Sequence, residues 1–179
     1  PDNKKYSGLI TTDAVAGCAS IMKTDKLKKI GLSDPDFFYG EEDVELSTRL
    51  KDSKDSLKVD LNEKTYHYVS HTVGKNWAKT IYYNYKYRLL LINKIGNRLD
   101  KFFGYSFSII KFFLSIPLLF NNYYSSRFLQ RYFALIHFFQ NKYGKYDRIN
   151  YSKINSFFSN VSKKTTAFDV IKLITKFKL

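Results

Sequence analysis

Aromatic residues and charge are divided unevenly along this chain, and the division limits what each part can build. Only Tyr6, Phe37, Phe38 and Tyr39 precede residue 64, which leaves 28 of the 32 Phe, Tyr and Trp residues to the remainder. Up to Glu63, ten Lys or Arg stand against thirteen Asp or Glu; beyond it, twenty stand against three. The pattern predicts an acidic region that carries a site, followed by a basic, aromatic region that is a different material. With 179 residues the chain has room for one sizeable core, or for a compact unit with an appendage. It begins at Pro1 rather than Met, so it is expected to be a piece of a longer polypeptide. Its one cysteine, Cys18, excludes an internal disulfide framework, fits a reducing compartment and is expected to be a small buried residue.

Turn signals and periodicity organise the first part. Residues 8–23, GLITTDAVAGCASIMK, suit a strand followed by a tight segment around Gly17. A short helix is predicted from a Thr24 or Asp25 cap through Leu27 and Ile30, stopping at Gly31, because glycine takes the left-handed conformation past a helix end at no steric cost. Ser33-Asp34-Pro35-Asp36 is a turn, and the aromatic run Phe37-Phe38-Tyr39 then leads into EEDVELSTRLKD, good helix formers throughout. Glu41, Glu42 and Asp43 fall in the first turn of that helix, where the dipole stabilises negative charge, so a carboxylate there stays ionised and can accept a proton. LKVDL at 57–61 and TYHYV at 65–69 alternate like short strands. From Asn76 to Arg98, Trp77, Ile81, Tyr85, Leu89 and Ile92 recur at helical spacing, with lysines and arginines expected on the other faces.

Phe102 to Phe120, FFGYSFSIIKFFLSIPLLF, is apolar over nineteen residues. Spanning helices need about 20 such residues, but Lys111 near the middle costs about 2.5 to 3.5 kcal/mol on insertion scales, and Pro117 disturbs the last turn. Three readings are open: a segment lying in a membrane surface, a span or re-entrant hairpin, and an ordinary buried helix. Arg98, Lys101, Arg127 and Arg131 bracket the stretch, and Tyr105, Tyr123 and Tyr124 suit the headgroup level, so a membrane-associating tail is favoured.

The order AVAGCASIMKTDKLKKIGLSDPDFFYGEEDVELSTRL, then TYHYVSHTVGKNW, then YYNYKYRLLLINK, resembles the C-terminal half of bacterial family 2 glycosyltransferases of the GT-A fold, in particular rhamnosyltransferase-like enzymes of surface polysaccharide synthesis. The match covers about residues 14–94, and ALIHFFQNKYGKY at 134–146 is faintly similar to the tail of such enzymes. The resemblance implies an α/β fold: residues 1–75 would be the C-terminal, acceptor-side portion of a Rossmann-like GT-A catalytic domain, and residues 76–179 an α-helical, amphipathic, basic and aromatic tail. It also implies an inverting transfer of a sugar from a nucleotide-sugar donor to a hydroxyl of a lipid-linked or surface glycan acceptor, at the cytoplasmic face of the bacterial inner membrane.

Roles for individual residues follow from the same resemblance. Inverting transfer needs a base for the acceptor hydroxyl, and Asp43 matches that base, with Glu42 beside it as an acceptor-binding or orienting group. Phe38 and Tyr39 would offer an apolar platform to a sugar face. His67 matches a histidine that helps hold a divalent metal, Mn2+ or Mg2+, on the donor diphosphate, where it neutralises leaving-group charge. Gly17, Ser70, His71 and Lys75 are expected on the donor side. Glu41 and Glu45 are expected to be solvated helix acids, and His137, set among Leu135, Phe138 and Phe139, a buried or interfacial histidine.

Some chemistry is excluded on spacing. His67 and His71 would need a helix to share a zinc ion, whereas extended chain separates them by about 13 Å. Asp34-Pro35-Asp36 has the letters of the family's Asp-x-Asp metal motif but sits in the turn before the base motif; the resemblance implies that the metal motif and the nucleotide pocket would lie in an N-terminal half. A basic nucleic-acid-binding protein and a non-catalytic membrane scaffold remain as alternatives, though the aromatics lie in long apolar runs rather than in a stacking pattern, which argues against nucleic acid.

Overall fold

The computed structural model describes residues 7–53, 55–68, 77–117 and 125–145. Within these, five helices accompany one two-stranded sheet, a mixed architecture dominated by helix. Strands β1 (Leu9–Thr11) and β2 (Lys58–Asp60) pair antiparallel, with Leu9 opposite Asp60, Ile10 opposite Val59 and Thr11 opposite Lys58. The ladder is extended by Thr12 N–H to Leu57 O at 3.0 Å and Leu61 N–H to Gly8 O at 2.9 Å. All six strand residues are exposed, so the ribbon adds no core. Residues 65–68, expected as a strand, carry no ladder and are exposed; Val69 lies outside the described residues.

Helix α1 (Thr24–Ile30) ends at Gly31, whose φ of 96° is the left-handed stop that its position predicts. At the other end Lys23, not Thr24 or Asp25, is the N-cap residue, and no side chain caps the helix. The Asp34 carboxylate accepts the Asp36 N–H at 2.9 Å and the Asp34 carbonyl accepts the Phe37 N–H at 3.1 Å, which makes the expected turn. Helix α2 (Glu42–Asp52) follows and buries Glu45, Leu46, Ser47 and Leu50 on one face.

The core lies in the second part. Helix α3 (Trp77–Ile95) packs along helix α5 (Ser125–Phe139), with Tyr82, Tyr83, Tyr87, Leu89 and Leu90 meeting Phe128, Leu129, Phe133, Ala134 and Phe138 in one cluster that also takes Phe37. The buried face of α3 is broader than the periodicity from Trp77 to Ile92 predicts, because three partners surround the helix. Tyr82 meets His137 of α5, and Tyr83 and Tyr87 meet the Phe37-Phe38-Tyr39 loop. Tyr85 and Ile92 turn toward helix α4 (Arg98–Phe113).

Lys86 departs from the expectation that lysines occupy the outer faces of α3. Its side chain is fully buried, with Nζ 4.8–5.4 Å from the ring centroids of Tyr82, Tyr83 and Tyr87 and 3.2 and 3.3 Å from the carbonyls of Lys142 and Gly144. Burial lowers its pKa to about 8, while the ring faces and carbonyls favour the charged form. Lys86 thereby holds residues 142–144 against α3. Gly144 in turn donates its N–H to Asp36 O at 2.8 Å and accepts the Tyr87 hydroxyl at 2.8 Å, so the segment after α5 closes onto the turn that leads to α2.

Candidate functional site

The entry into α2 is a sharp one. Gly40 and Glu41 both adopt left-handed backbone, with φ of 83° and 68°, and Glu41 is the N-cap residue. A left-handed non-glycine residue costs about 1–2 kcal/mol, so the surroundings must hold it. Arg88 of α3 reaches the Glu41 carboxylate at 3.3 Å. Beyond this corner Glu42 and Asp43 open the helix, their carboxylates at its positive end.

Asp43 is fixed from two sides. One carboxylate oxygen accepts the Gly17 N–H at 3.2 Å and the other accepts its own neighbour's N–H, from Val44, at 2.9 Å. One turn further along the same face, Ser47 Oγ accepts the Val15 N–H at 3.2 Å. Asp43 and Ser47 together therefore clamp the Val15–Gly17 backbone against α2. Between these elements lies a hollow of about 230 Å³ lined by Val15, Gly17, Ser20, Met22, Ser33, Glu42, Asp43 and Leu46. Its wall is mixed: two carboxylates and two serines together with Val15, Met22 and Leu46.

A second arrangement braces the hollow from behind. Arg49 makes a bidentate pair with Glu45, at 2.6 and 2.8 Å, and its remaining donors reach the carbonyls of Ile30 and of Leu32, the latter at 2.7 Å. One guanidinium thus ties the end of α1 to α2 and satisfies carbonyls that the helix end leaves open. Glu45 is 4 % exposed, so it is not a solvated helix acid; the i,i+4 spacing to Arg49 turns it inward. Glu41, half-buried and paired with Arg88, is not a free surface acid either.

Asp34 and Asp36 both bind Lys94 of α3, Asp36 at 2.7 Å. Partial burial works against the charge on Asp34, but the hydrogen bonds from Lys94 and the Asp36 N–H, with the Lys94 charge, hold its carboxyl below the usual range. Both carboxylates are thus engaged in an ion-pair knot between the turn and α3.

Of the residues expected at a site, Gly17, Glu42 and Asp43 converge on the hollow. Phe38 and Tyr39 do not line it; they pack toward α3, at 5.3 and 6.2 Å from the Tyr83 ring, with Phe38 still 48 % exposed. His67 is exposed on the chain segment after β2. Ser70, His71 and Lys75 lie outside the described residues. Among the described residues no three His, Cys, Asp or Glu side chains group to hold a metal ion, so His67 would need ligands from elsewhere. Cys18 follows Gly17 and is exposed rather than buried, because the segment it occupies runs over the surface of α2 instead of into the core.

Ser20, Ser33, Ser47 and Arg49 are the residues at or behind the hollow that the sequence reading passes over. Arg49 was open to discovery through its i,i+4 relation to Glu45; the serines carry no such signal. Comparison with protein-family models, curated proteins and solved structures finds no match to this chain.

Proposed function

We propose that the chain is the acceptor-side part of an inverting GT-A glycosyltransferase acting on lipid-linked or surface glycan acceptors. The observation that carries the reading is Asp43: a carboxylate at a helix N-terminus, oriented by the Gly17 N–H, on the wall of a hollow of about 230 Å³. The ordered resemblance of residues 14–94, from which the role of Asp43 is taken, supports the same reading. In the proposed step Asp43 takes the proton of an acceptor hydroxyl. The hydroxyl oxygen then bonds to the anomeric carbon from the face opposite the leaving group, and the carbon–oxygen bond to the nucleoside diphosphate breaks with its electron pair. Glu42, exposed at the rim, orients the acceptor by accepting a neighbouring hydroxyl.

A divalent cation at His67 belongs to the same proposal and would neutralise leaving-group charge. The described residues do not assemble such a site by themselves, and no step here runs through it. The donor side, including Ser70, His71 and Lys75, would be completed by residues beyond those described. A place on the cytoplasmic face of the bacterial inner membrane is proposed because nucleotide sugars and lipid-linked acceptors meet there. The contact proposed is with the membrane surface; no helix among the described residues is long and apolar enough to cross a membrane.

The test is Asp43→Asn in the complete gene product, assayed by nucleoside diphosphate release from a panel of nucleotide sugars in the presence of lipid-linked acceptor. Loss of a positioned base lowers turnover by about 10²–10⁴-fold, while circular dichroism stays unchanged because asparagine can still accept the Gly17 N–H. Transfer at the full rate would sink the assignment.

A further inference from the structure

Helix α4 carries an apolar face that nothing covers among the described residues. Leu99, Phe102, Phe103, Phe107, Ile110 and Phe113 are each 56–67 % exposed. At about 100° per residue they occupy a continuous arc of roughly 140° on the helix. The opposite side is committed to the fold. Tyr105 OH donates to Asn93 at 3.0 Å, the Ser108 carbonyl accepts the Tyr85 hydroxyl, and the Phe112 ring lies 5.2 Å from that of Phe128. The exposed rings therefore cannot be buried by turning the helix.

Charge decides what fits this face. Arg98 stands at one edge of the arc and Lys111 at the other, its Nζ 5.9 Å from the centroid of the Phe107 ring. The helix's one acid, Asp100, is engaged with Asn97 in a capping box. A second copy would bring together two chains of net charge +14, which disfavours self-pairing across a basic rim. A flat, apolar strip with a basic rim matches an anionic bilayer surface, where rings enter the acyl boundary and the cations meet phosphates.

We infer that α4 lies flat in the surface of an anionic phospholipid bilayer, inserting Leu99, Phe102, Phe103, Phe107, Ile110 and Phe113 and selecting acidic headgroups through Arg98 and Lys111. This rests on the membrane-surface reading above and deepens it by naming the inserting helix and the lipid class.

The test is co-sedimentation of the full chain with phosphatidylcholine vesicles made with and without phosphatidylglycerol, over a salt series. Wild type binds only the phosphatidylglycerol vesicles, and more weakly as salt rises. Phe103→Ser with Phe107→Ser weakens partitioning by about tenfold or more without changing the circular dichroism spectrum, since both rings are exposed. Arg98→Gln with Lys111→Gln weakens the preference for phosphatidylglycerol. Wild type that ignores both vesicles overturns the membrane reading itself. Wild type that binds while the phenylalanine pair binds equally well overturns only the role of α4. Lipid-free wild type that is a dimer, with the phenylalanine pair monomeric in sedimentation, assigns the face to a second copy and overturns the inference.

Discussion

At the scale of residues, the acids of the 41–45 stretch show how one residue type takes different roles within a single turn. Glu42 is exposed, Asp43 receives two backbone N–H groups, Glu41 occupies a left-handed corner, and Glu45 is sealed against Arg49. The Glu45–Arg49 pair supports the wall of the hollow, and its energetics are set by burial. Arg49→Met leaves a buried carboxylate without its cation and opens the carbonyls of Ile30 and Leu32, so a loss of about 3–5 kcal/mol is expected in urea denaturation. Glu45→Gln combined with Arg49→Met should recover part of that loss, because the orphaned charge is gone; a double variant less stable than the single would contradict the account. Exposure of these carboxylates is the default expectation from composition, and only the partner one turn away reverses it. The same applies to Lys86, whose ring cage uses tyrosines on its own helix at i−4, i−3 and i+1 together with carbonyls more than fifty residues distant.

At the scale of elements, α4 depends on a close approach to α3. A Cβ placed on Gly104 would lie 2.7 Å from Ile92 Cδ1 and 3.0 Å from its Cγ2, so the glycine lets the two helices touch. Gly104→Val should destabilise the protein by about 1–3 kcal/mol through overpacking, despite valine's better helix propensity, and thermal melting would show it. Pairing it with Ile92→Ala should restore part of the stability, and no recovery would count against the contact. The start of α4 is explained locally: Asn97 accepts the N–H groups of Leu99 and Asp100 at 2.8 and 2.9 Å, and Asp100 accepts that of Asn97 at 3.0 Å. The stop at Gly31 was legible, whereas the start at Asn97 was not: the helical pattern from Asn76 was expected to run to Arg98, and it breaks after Ile95. The rotation of α3 was not legible either, since its tyrosines and leucines surround much of the helix and periodicity cannot choose among three faces that are all partly covered.

At the scale of the whole molecule, the α3–α5 seam makes stability depend on acid. His137 is buried with Nδ1 2.7 Å from the Tyr82 hydroxyl, and burial, with the charges of Lys142 and Lys86, lowers its pKa to about 4. Its ordinary value is 6.5, so between pH 6.5 and 4 the unfolded chain holds the proton and the folded chain does not. Stability therefore falls as pH drops through that window, by at most about 1.4 kcal/mol per unit from this group. His137→Phe should lower stability at pH 7 by removing the Nδ1 partner of the Tyr82 hydroxyl but flatten the slope between pH 6.5 and 4 in urea titrations; an unchanged slope would remove His137 as its source. The seam also explains why the acidic and basic parts are not independent here: Phe37 enters the core of the helical part, and Gly144 closes onto Asp36. Sequence alone determined what is local: the turn at Asp34, the stop at Gly31, helix α2 with its acids at the positive end, and a helical, aromatic second part. Those depend on contacts within a few residues, which periodicity and capping chemistry encode. Tertiary structure decided the burial of Lys86, the convergence of Gly17 with Asp43, and the outward face of α4. Each depends on partners distant in the chain, and no local pattern specifies which face of an all-round apolar helix a distant partner will cover.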